Sequence, residues 1–212
     1  MNTQSNWYVT DGLVLHMDGI EKGATANAWT SLVGGHVFTL VGGVTFNDNN
    51  VELDGVDGRL LNQTFTTPMI ETGTIELVVE NEDINAFTTV FSPKDGANFS
   101  RLAFGMYQGA ARWTTKTSSP VYPVTEARTS ISANKNNFYV NGVAQTSNGM
   151  GYVITNANTT SYIGCRYNNG FERFFAGKIH SIRIYNRILT QNEVFHNLAV
   201  DRKRFGIGYP TT

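Results

Sequence analysis

The sequence predicts an all-β sandwich with one short helix near its C-terminal end. Short runs with alternating apolar and polar residues, turn dipeptides between them and a composition rich in Thr, Asn and Gly support this fold class. Gly supplies 21 of the 212 residues. Thr suits strands, whereas Asn and Gly suit turns. Hydrophobic residues make up 41% of the chain, so a domain of this length buries a sizeable core.

The composition also argues against several classes of protein. The net charge is −1, with 16 Lys and Arg against 17 Asp and Glu, and nucleic-acid binding needs a dominant basic surface. No apolar run approaches the roughly 18 residues of a membrane span. The single cysteine, Cys165, excludes an internal disulfide and is expected to be a small buried hydrophobe in a strand. We therefore expect no nucleic-acid partner and no membrane insertion.

Alternation with a period of two residues identifies individual strands. The clearest runs are TIELVVE (74–80), RLAFGMY (101–107) and KIHSIRIYN (178–186). Their apolar residues, such as Ile75 and Ile182, are predicted to face the core. Their polar residues, such as Glu76 and Arg183, are predicted to face solvent, as in a half-buried antiparallel sheet.

Turn signals separate these runs. Asn141-Gly142 lies between the apolar residues 138–140 and residues 143–145, and this dipeptide favours a tight hairpin because both of its positions adopt positive φ. Other Gly-containing pairs punctuate the remaining runs. Together, the alternating runs and the turn signals predict roughly a dozen strands. Their spacing along the sequence is typical of β-sandwiches.

One helix is predicted after residue 190. Thr190 and Glu193 form a capping box, in which each side chain bonds the backbone N–H of the other residue. The basic residues 202–204 suit the C-terminal end of a helix. An apolar stripe predicts that the helix packs on the edge of the sandwich. This stripe consists of Val194, Phe195, Leu198 and Ala199.

Five segments together resemble a known family. They are GLVLHMDG (12–19), VELDGVD (51–57), FYVNG (138–142), YIG (162–164) and FAGKIHSIRIYNRILTQNEV (175–194). In this order they resemble the concanavalin A-like lectin/glucanase superfamily in its laminin-G-like form. The resemblance implies a two-sheet antiparallel jelly roll over residues 12–206, with an N-terminal segment at 1–11 and a tail at 207–212. The family includes sugar binders, adhesion modules, virion components and enzymes, so function must be argued from a site.

A sugar-binding site needs exposed aromatic rings that stack on pyranose rings and polar side chains that bond hydroxyl groups. Aromatic residues in predicted strands and an Asn-rich loop after residue 165 provide such side chains. The candidates are Tyr107, Trp113, Tyr122, Arg166, Tyr167 and Asn168.

Acidic residues near predicted turns suggest two further sites. Asp18, Asp54 and Asp57 are hard oxygen ligands of the kind calcium prefers, and some members of the resembled family bind calcium at the rim of the sandwich. Glu52, Asp54 and Asp57 resemble the carboxylate strand of related glucanases, in which retaining hydrolysis needs two carboxyl groups about 5–5.5 Å apart. The last position holds a shorter Asp57 instead of Glu. We therefore predict a protein that is not an enzyme, requires no cofactor and has calcium as its candidate ion.

The predicted function follows from two observations that point to different cellular locations. The resembled fold usually functions outside cells, yet residues 1–12 contain no classical secretion signal. Phage proteins meet both conditions, so we predict a virion structural protein that adheres to glycans, located on the virion as a capsid decoration, head fibre or tail module. Its expected partners are other virion or cell-surface proteins and glycans, and its oligomeric state stays open. The alternative is a bacterial cell-surface or secreted carbohydrate-binding module, and a glycoside hydrolase is a minor alternative.

Overall fold

The computed structural model describes residues 7–21, 23, 25–65, 72–82, 86–95, 103–107, 110–114, 121–124, 128–145 and 157–208. These parts of the chain form strands and one C-terminal helix. The strands are β1 (Leu13–Asp18), β2 (Ala28–Thr30), β3 (Val37–Val41), β4 (Val44–Phe46), β5 (Val51–Asp54), β6 (Arg59–Asn62), β7 (Thr74–Asn81), β8 (Thr88–Asp95), β9 (Ala103–Tyr107), β10 (Ala110–Thr114), β11 (Val121–Pro123), β12 (Arg128–Asn134), β13 (Phe138–Val140), β14 (Val143–Gln145), β15 (Ala157–Ile163), β16 (Arg166–Tyr167), β17 (Phe171–Glu172) and β18 (Ala176–Tyr185). The helix is α1 (Gln191–Phe205).

The strands form two antiparallel sheets of eight strands each. The first sheet has the order β14-β13-β12-β7-β18-β5-β4, and β1 also pairs with β18. The second sheet has the order β11-β10-β9-β8-β15-β6-β3-β2. Strands β16 and β17 form a separate hairpin. This arrangement confirms the predicted two-sheet jelly-roll sandwich with a C-terminal helix.

The core lies between the inner faces of the two sheets. Ile75 and Ile182 of the first sheet face inward as predicted, and they meet inward residues of the second sheet such as Phe91 and Ile163. Trp29 is fully buried there, and its indole N–H donates to the backbone carbonyl of Asp18 at 3.2 Å. No helix of the described residues is long and apolar enough to cross a bilayer.

A β-bulge in β18 explains how this strand keeps its apolar side chains inside. The pairing with β7 shifts between Ile179, which lies opposite Val79, and Ser181, which lies opposite Val78. Strict alternation would place Ile179 and Ile182 on opposite faces, yet both are in the core. The extra residue at the bulge is His180, and it lets both isoleucines point inward.

The predicted hairpin at Asn141-Gly142 is confirmed. Val140 of β13 pairs with Val143 of β14. The two turn residues have φ values of 50° and 84°, the left-handed conformation that this turn requires.

The capping box of α1 is also confirmed, whereas the predicted apolar stripe is only partly right. The Thr190 hydroxyl accepts from the Glu193 N–H, and the Thr190 N–H donates to the Glu193 carboxylate at 2.8 Å. Phe195 and Ala199 are exposed. The helix lies across the outer face of the first sheet. In this orientation Asn197 points toward the sheet, whereas Phe195 and Ala199 point away from it. The buried residues of the helix are Val194, Asn197, Leu198, Val200, Asp201 and Phe205.

The helix also explains why the predicted exposure of Glu76 and Arg183 is wrong. Both side chains lie on the outer face of the sheet, as the alternation predicts, but α1 covers them, and Arg183 is only 1% exposed. The Arg183 guanidinium donates to both carboxylate oxygens of Asp201 at 2.7 Å and to Glu76 at 3.0 Å. Burial would lower the pKa of Arg183, but the two carboxylates raise it well above its usual value.

Asn197 and the segment before β1 complete this polar layer. The Asn197 amide donates to Glu76 at 2.7 Å, and its carbonyl oxygen accepts from the backbone N–H of Val9 at 2.9 Å. The ring of Tyr8 lies 4.0 Å from the Arg183 guanidinium. Residues 7–9 therefore pack against the helix and help to exclude water from the buried charges.

We expect Asp201→Ala to lower the free energy of unfolding by about 3–5 kcal/mol, because it leaves Arg183 buried without its bidentate partner. Urea denaturation followed by tryptophan fluorescence measures this change. Asp11→Ala is the matched control, since it removes an ion pair to Arg187 whose acidic side chain is 84% exposed, and we expect it to cost less than about 1 kcal/mol. A loss at Asp201 as small as the loss at Asp11 would contradict the role of the buried ion cluster.

The buried bulge residue His180 makes stability depend on pH. Burial, followed by the nearby charge of Arg128, lowers the pKa of His180 below its usual 6.5. The unfolded state then binds this proton first, so the stabilisation is fully present above about pH 6.5 and is lost as the pH falls. His180→Gln keeps an N–H donor for the backbone carbonyl of Asn49, which lies 3.0 Å from the ring. We expect the stability advantage of the wild type over this variant, measured by urea titrations from pH 7.5 to 5, to shrink with acidity; a constant difference would refute this.

Candidate functional site

The outer faces of the two sheets are covered differently. Helix α1 covers the first sheet, whereas the β16–β17 hairpin packs against side chains of the second. In this hairpin Arg166 pairs with Glu172 and Tyr167 pairs with Phe171. The turn closes with a hydrogen bond of 2.8 Å from the N–H of Asn168 to the carbonyl of residue 170. The hairpin therefore presents the Asn-rich loop that the sequence singled out.

Three adjacent strands of the second sheet present side chains beneath the hairpin. Leu60 on β6 and Ile163 on β15 lie opposite each other and face the core. Alternation then directs Arg59 and Tyr162 to the outer face. Lys94 on β8, the strand on the other side of β15, also points to this face, since its ammonium group lies over the ring of Tyr167.

Three aromatic rings form a cluster between the hairpin and the sheet. The ring centroids of Tyr162 and Tyr167 are 6.0 Å apart in a stacked arrangement, and Phe171 makes edge contacts with them at 5.6 and 5.2 Å. The Arg59 guanidinium lies 4.1 Å from the centroid of Phe171, and the Lys94 ammonium lies 5.0 Å from that of Tyr167. These are distances at which a cation is attracted to a ring. Phe171 is 39% exposed, so part of this aromatic cluster is open to solvent.

A cluster of guanidinium groups adjoins the rings. The Glu172 carboxylate lies 3.7 Å from Arg166 and 3.6 Å from Arg173. The ring of Phe87 lies 3.6 Å from the Arg173 guanidinium and 4.1 Å from that of Arg112. We call these aromatic and charged groups together the hairpin surface. It consists of Arg59, Phe87, Lys94, Arg112, Tyr162, Arg166, Tyr167, Phe171, Glu172 and Arg173.

Arg173 has an unusual position in this surface. Its carbonyl accepts from the Thr89 N–H at 2.8 Å, which ties the end of the hairpin to β8. Its φ is 59°, a left-handed conformation that costs an L-residue roughly 1–2 kcal/mol. Burial and the nearby charges of Arg166 and Arg112 lower the pKa of Arg173 to about 10, while Glu172 acts in the opposite direction. The guanidinium groups therefore repel each other across this surface.

The structure brings three of the predicted sugar-binding residues together. Arg166, Tyr167 and Asn168 are consecutive in the hairpin, and Tyr167 belongs to its aromatic cluster. Tyr107 and Trp113 lie in β9 and β10 of the same sheet, but their side chains lie outside the described part of the structure. Their role stays a prediction.

Tyr122 is placed differently from the expectation. Its ring is buried in the core and stacks on Phe138 of the opposite sheet, with centroids 4.3 Å apart. An inward ring of this kind is not available to a ligand on the outer surface. The strand alternation around residue 122 is too short to indicate this, because β11 has only three residues.

Several residues of the hairpin surface were not identified from the sequence. Phe171 and Arg173 follow directly after the Asn-Gly turn, so their proximity to Tyr167 is a local signal that a hairpin prediction would have used. Arg59 and Lys94 carry no local signal. Only the pairing of β6, β15 and β8 brings them under the hairpin.

The carboxylates of Asp54 and Asp57 organise a turn between β5 and β6. Asp54 accepts backbone N–H groups from Val56 and Gly58, both at 2.9 Å, and from Asp57 at 3.2 Å. Its slight burial would raise its pKa, but these hydrogen bonds lower it. Asp57 accepts the N–H of Gly43 at 2.9 Å. Both side chains therefore have structural partners in the protein.

Asp18 lies in a different environment. It is fully buried, with Arg204 at 2.7 Å and His16 at 3.3 Å. Burial would raise the pKa of Asp18, but hydrogen bonds from His16 and from backbone N–H groups hold it well below its usual range. Within the parts that the structure describes, no three His, Cys, Asp or Glu side chains form a possible metal site. Asp18, Asp54 and Asp57 thus do not fit a single calcium site, and calcium binding by the protein stays a prediction.

An antiparallel two-sheet sandwich of this topology, with one outer face under a helix and the other bearing aromatic rings, is a jelly-roll module of the lectin type. The chain belongs to the concanavalin A-like lectin/glucanases superfamily, because a laminin-G-type model of that family matches residues 68–195, more than half of the chain. No curated protein matches the sequence significantly.

Solved structures with the same fold include domains of three different kinds of protein. Domain 4 of the extracellular arabinanase AbnA from Geobacillus stearothermophilus, in complex with arabinotriose, is 17% identical with a TM-score of 0.67, and the match covers 88% of this chain and 98% of that domain. The Trypanosoma rangeli sialidase in complex with sialic acid is 13% identical with a TM-score of 0.66, and the match covers 91% of this chain but 33% of the sialidase. The receptor binding domain of a botulinum neurotoxin C/D mosaic is 14% identical with a TM-score of 0.64, and the match covers 90% of this chain and 52% of that domain. At these identities the similarity shows the fold alone.

Proposed function

We propose that the protein is a non-catalytic carbohydrate-binding module whose ligand lies on the hairpin surface. The observation that carries this proposal is the difference between the two outer faces. Helix α1 occupies one face, and the other bears a partly exposed ring, Phe171, beside Arg59 and the polar turn at residues 168–170. Sugar recognition combines an apolar ring for the C–H face of a pyranose with nearby donors and acceptors for its hydroxyl groups.

The solved structures support the class of ligand. The arabinanase domain is bound to arabinotriose and the sialidase to sialic acid. A sandwich of the same fold therefore occurs in proteins that handle sugars. The proposal for this chain rests on its own rings and charges, because the shared fold alone does not define a ligand.

The carboxylates of β5 support a non-catalytic module. Glu52 accepts a hydrogen bond from the Asn47 amide at 2.6 Å, and Asp54 caps the following turn. A general acid needs a carboxyl group whose pKa is raised toward neutrality, yet hydrogen bonding lowers the pKa of Asp54. These side chains are engaged in holding the loop, which favours binding over glycoside hydrolysis.

We further propose that the module is carried on a phage virion, as a capsid decoration, head fibre or tail component. Its low charged content of 16% and its single thiol support an extracellular setting. Burial raises the pKa of the Cys165 thiol to about 12, so the reactive thiolate is suppressed and oxidation outside a cell is slow. A bacterial cell-surface module shares these features and is the alternative.

Glycan binding is tested by screening the whole protein on a glycan array, followed by calorimetry with the best ligand. We expect Phe171→Ala to weaken binding by roughly tenfold, because a phenyl ring that a ligand covers contributes about 1.5 kcal/mol or more through the apolar area it buries. Phe195→Ala is the matched control, since Phe195 is 40% exposed, against 39% for Phe171, but lies on α1. Equal effects of the two substitutions would argue against the hairpin surface as the site.

The virion proposal is tested by mass spectrometry of purified particles from the source. We expect many copies of the chain per particle. Its absence from particles, together with recovery in the cell-envelope fraction, would reject the virion location and favour the surface module.

A further inference from the structure

The chain contains three Asn-Gly pairs, and two of them lie in hairpin turns that the structure describes. Asn141-Gly142 lies between β13 and β14, and Asn169-Gly170 lies between β16 and β17. The third pair, at residues 148–149, lies outside the described residues. Both described asparagines have a left-handed backbone, with φ values of 50° and 56°. The two turns thus share the dipeptide and the asparagine conformation, so their surroundings can be compared directly.

An asparagine that precedes a glycine can react with its own backbone. The glycine N–H loses its proton to the solvent, and the nitrogen attacks the side-chain carbonyl carbon of the asparagine. A new C–N bond forms, the bond to the side-chain amide nitrogen breaks, and ammonia leaves a cyclic succinimide behind. Water then opens this ring at either carbonyl group and gives aspartate or isoaspartate. The reaction needs an unrestrained asparagine side chain and a flexible backbone after it, which glycine supplies because it lacks Cβ.

The surroundings of Asn141 oppose this reaction. Its side-chain carbonyl accepts from the backbone N–H of Ser130 at 2.8 Å, and its own N–H donates to the carbonyl of Ser130 at 2.8 Å. The residue is only 6% exposed. A Cβ added at Gly142 would lie 2.6 Å from the side chain of Leu198, so helix α1 closes the space around this turn. Attack on Asn141 therefore requires the hairpin to open first.

Asn169 is not restrained in this way. Both Asn169 and Gly170 are exposed. Within the described parts of the chain, no hydrogen bond engages the Asn169 side chain or the Gly170 N–H, because the bond from Asn168 ends at the Gly170 carbonyl. A Cβ added at Gly170 would meet no heavy atom of the described residues within 4 Å beyond its chain neighbours. The nucleophile and the group it attacks are therefore both free to move, and water reaches them.

We propose that Asn169 is a site of spontaneous deamidation in the folded protein, with water as the co-reactant and ammonia as the product. The reaction replaces a neutral amide by a carboxylate in the turn between Tyr167 and Phe171. The isoaspartate product also lengthens the main chain of the turn by a methylene group. The hairpin surface of an aged protein is therefore more negative than its sequence encodes. The reaction needs no ligand, so it is independent of the glycan-binding function.

The test follows both turns in one sample. The folded full chain is aged in mildly alkaline buffer, and mass spectrometry of its peptides detects each replacement of an amide NH2 by OH, with fragment ions that locate the asparagine. We expect Asn169 to react at least about tenfold faster than Asn141, because the buried hydrogen bonds of Asn141 must break before it reacts. Equal rates at the two residues, or a faster reaction at Asn141, would overturn the proposal.

Ageing in guanidinium chloride is the control for sequence. In the unfolded chain both side chains are exposed and each is followed by glycine, so we expect similar rates at Asn141 and Asn169. The rate at Asn141 should then rise far more than the rate at Asn169. If Asn141 stays slow in the unfolded chain, the difference comes from its sequence neighbours, and the assignment from structure is refuted.

Gly170→Ala tests the role of the backbone after Asn169. The φ of Gly170 lies outside the left-handed region, and the added Cβ meets no described atom, so we expect unchanged thermal unfolding. The reaction at Asn169 should slow at least about fivefold, because alanine has fewer backbone conformations from which its nitrogen reaches the side chain. Asn141 in the same sample is the matched control and should react at its original rate. A wild-type rate at Asn169 in this variant would contradict the mechanism.

Discussion

The buried contact of Arg183 with Glu76 and Asp201 is the interaction on which the arrangement of the protein depends. It joins two neighbouring strands of the first sheet to α1, and burying an unpaired guanidinium would cost several kcal/mol. The helix is therefore bound to one sheet by directional hydrogen bonds as well as by apolar packing around Leu198 and Phe205. Covering this face with a helix leaves the outer face of the second sheet for the hairpin and its rings.

Most of the fold can be predicted from the sequence because it depends on local patterns. Alternation identifies the core-facing residues, Asn141-Gly142 identifies a hairpin, and Thr190 with Glu193 identifies the start of the helix. The exposure of Glu76 and Arg183 could not be predicted, since their burial depends on where a helix more than a hundred residues after Glu76 docks. A polar residue on the outer face of a strand looks the same in sequence whether water or a helix lies above it.

The residues of the candidate site also fall into two groups: those that a local pattern predicts and those that only the fold brings together. Arg166, Tyr167 and Asn168 could be predicted because a turn brings them together within one short segment. Arg59 and Lys94 join them only through the pairing of β6, β15 and β8, which no local pattern specifies. Tyr122 shows the opposite error, since an aromatic residue in a three-residue strand gives no sign of the face it occupies. Its stacking on Phe138 across the core makes it part of the packing between the sheets.

The packing of residues 7–9 against α1 has a geometric consequence for presentation. Ile207, just after the helix, packs with Val78 on the outer face of the first sheet, so both ends of the described chain emerge on the same side of the sandwich. The hairpin lies on the other side. A support that held the protein by either end would leave the hairpin pointing outward, and several copies on one support would present their rings and guanidinium groups in a common direction. For the glycan ligand that we propose, weak individual contacts would then add up to avid attachment to a repetitive polymer.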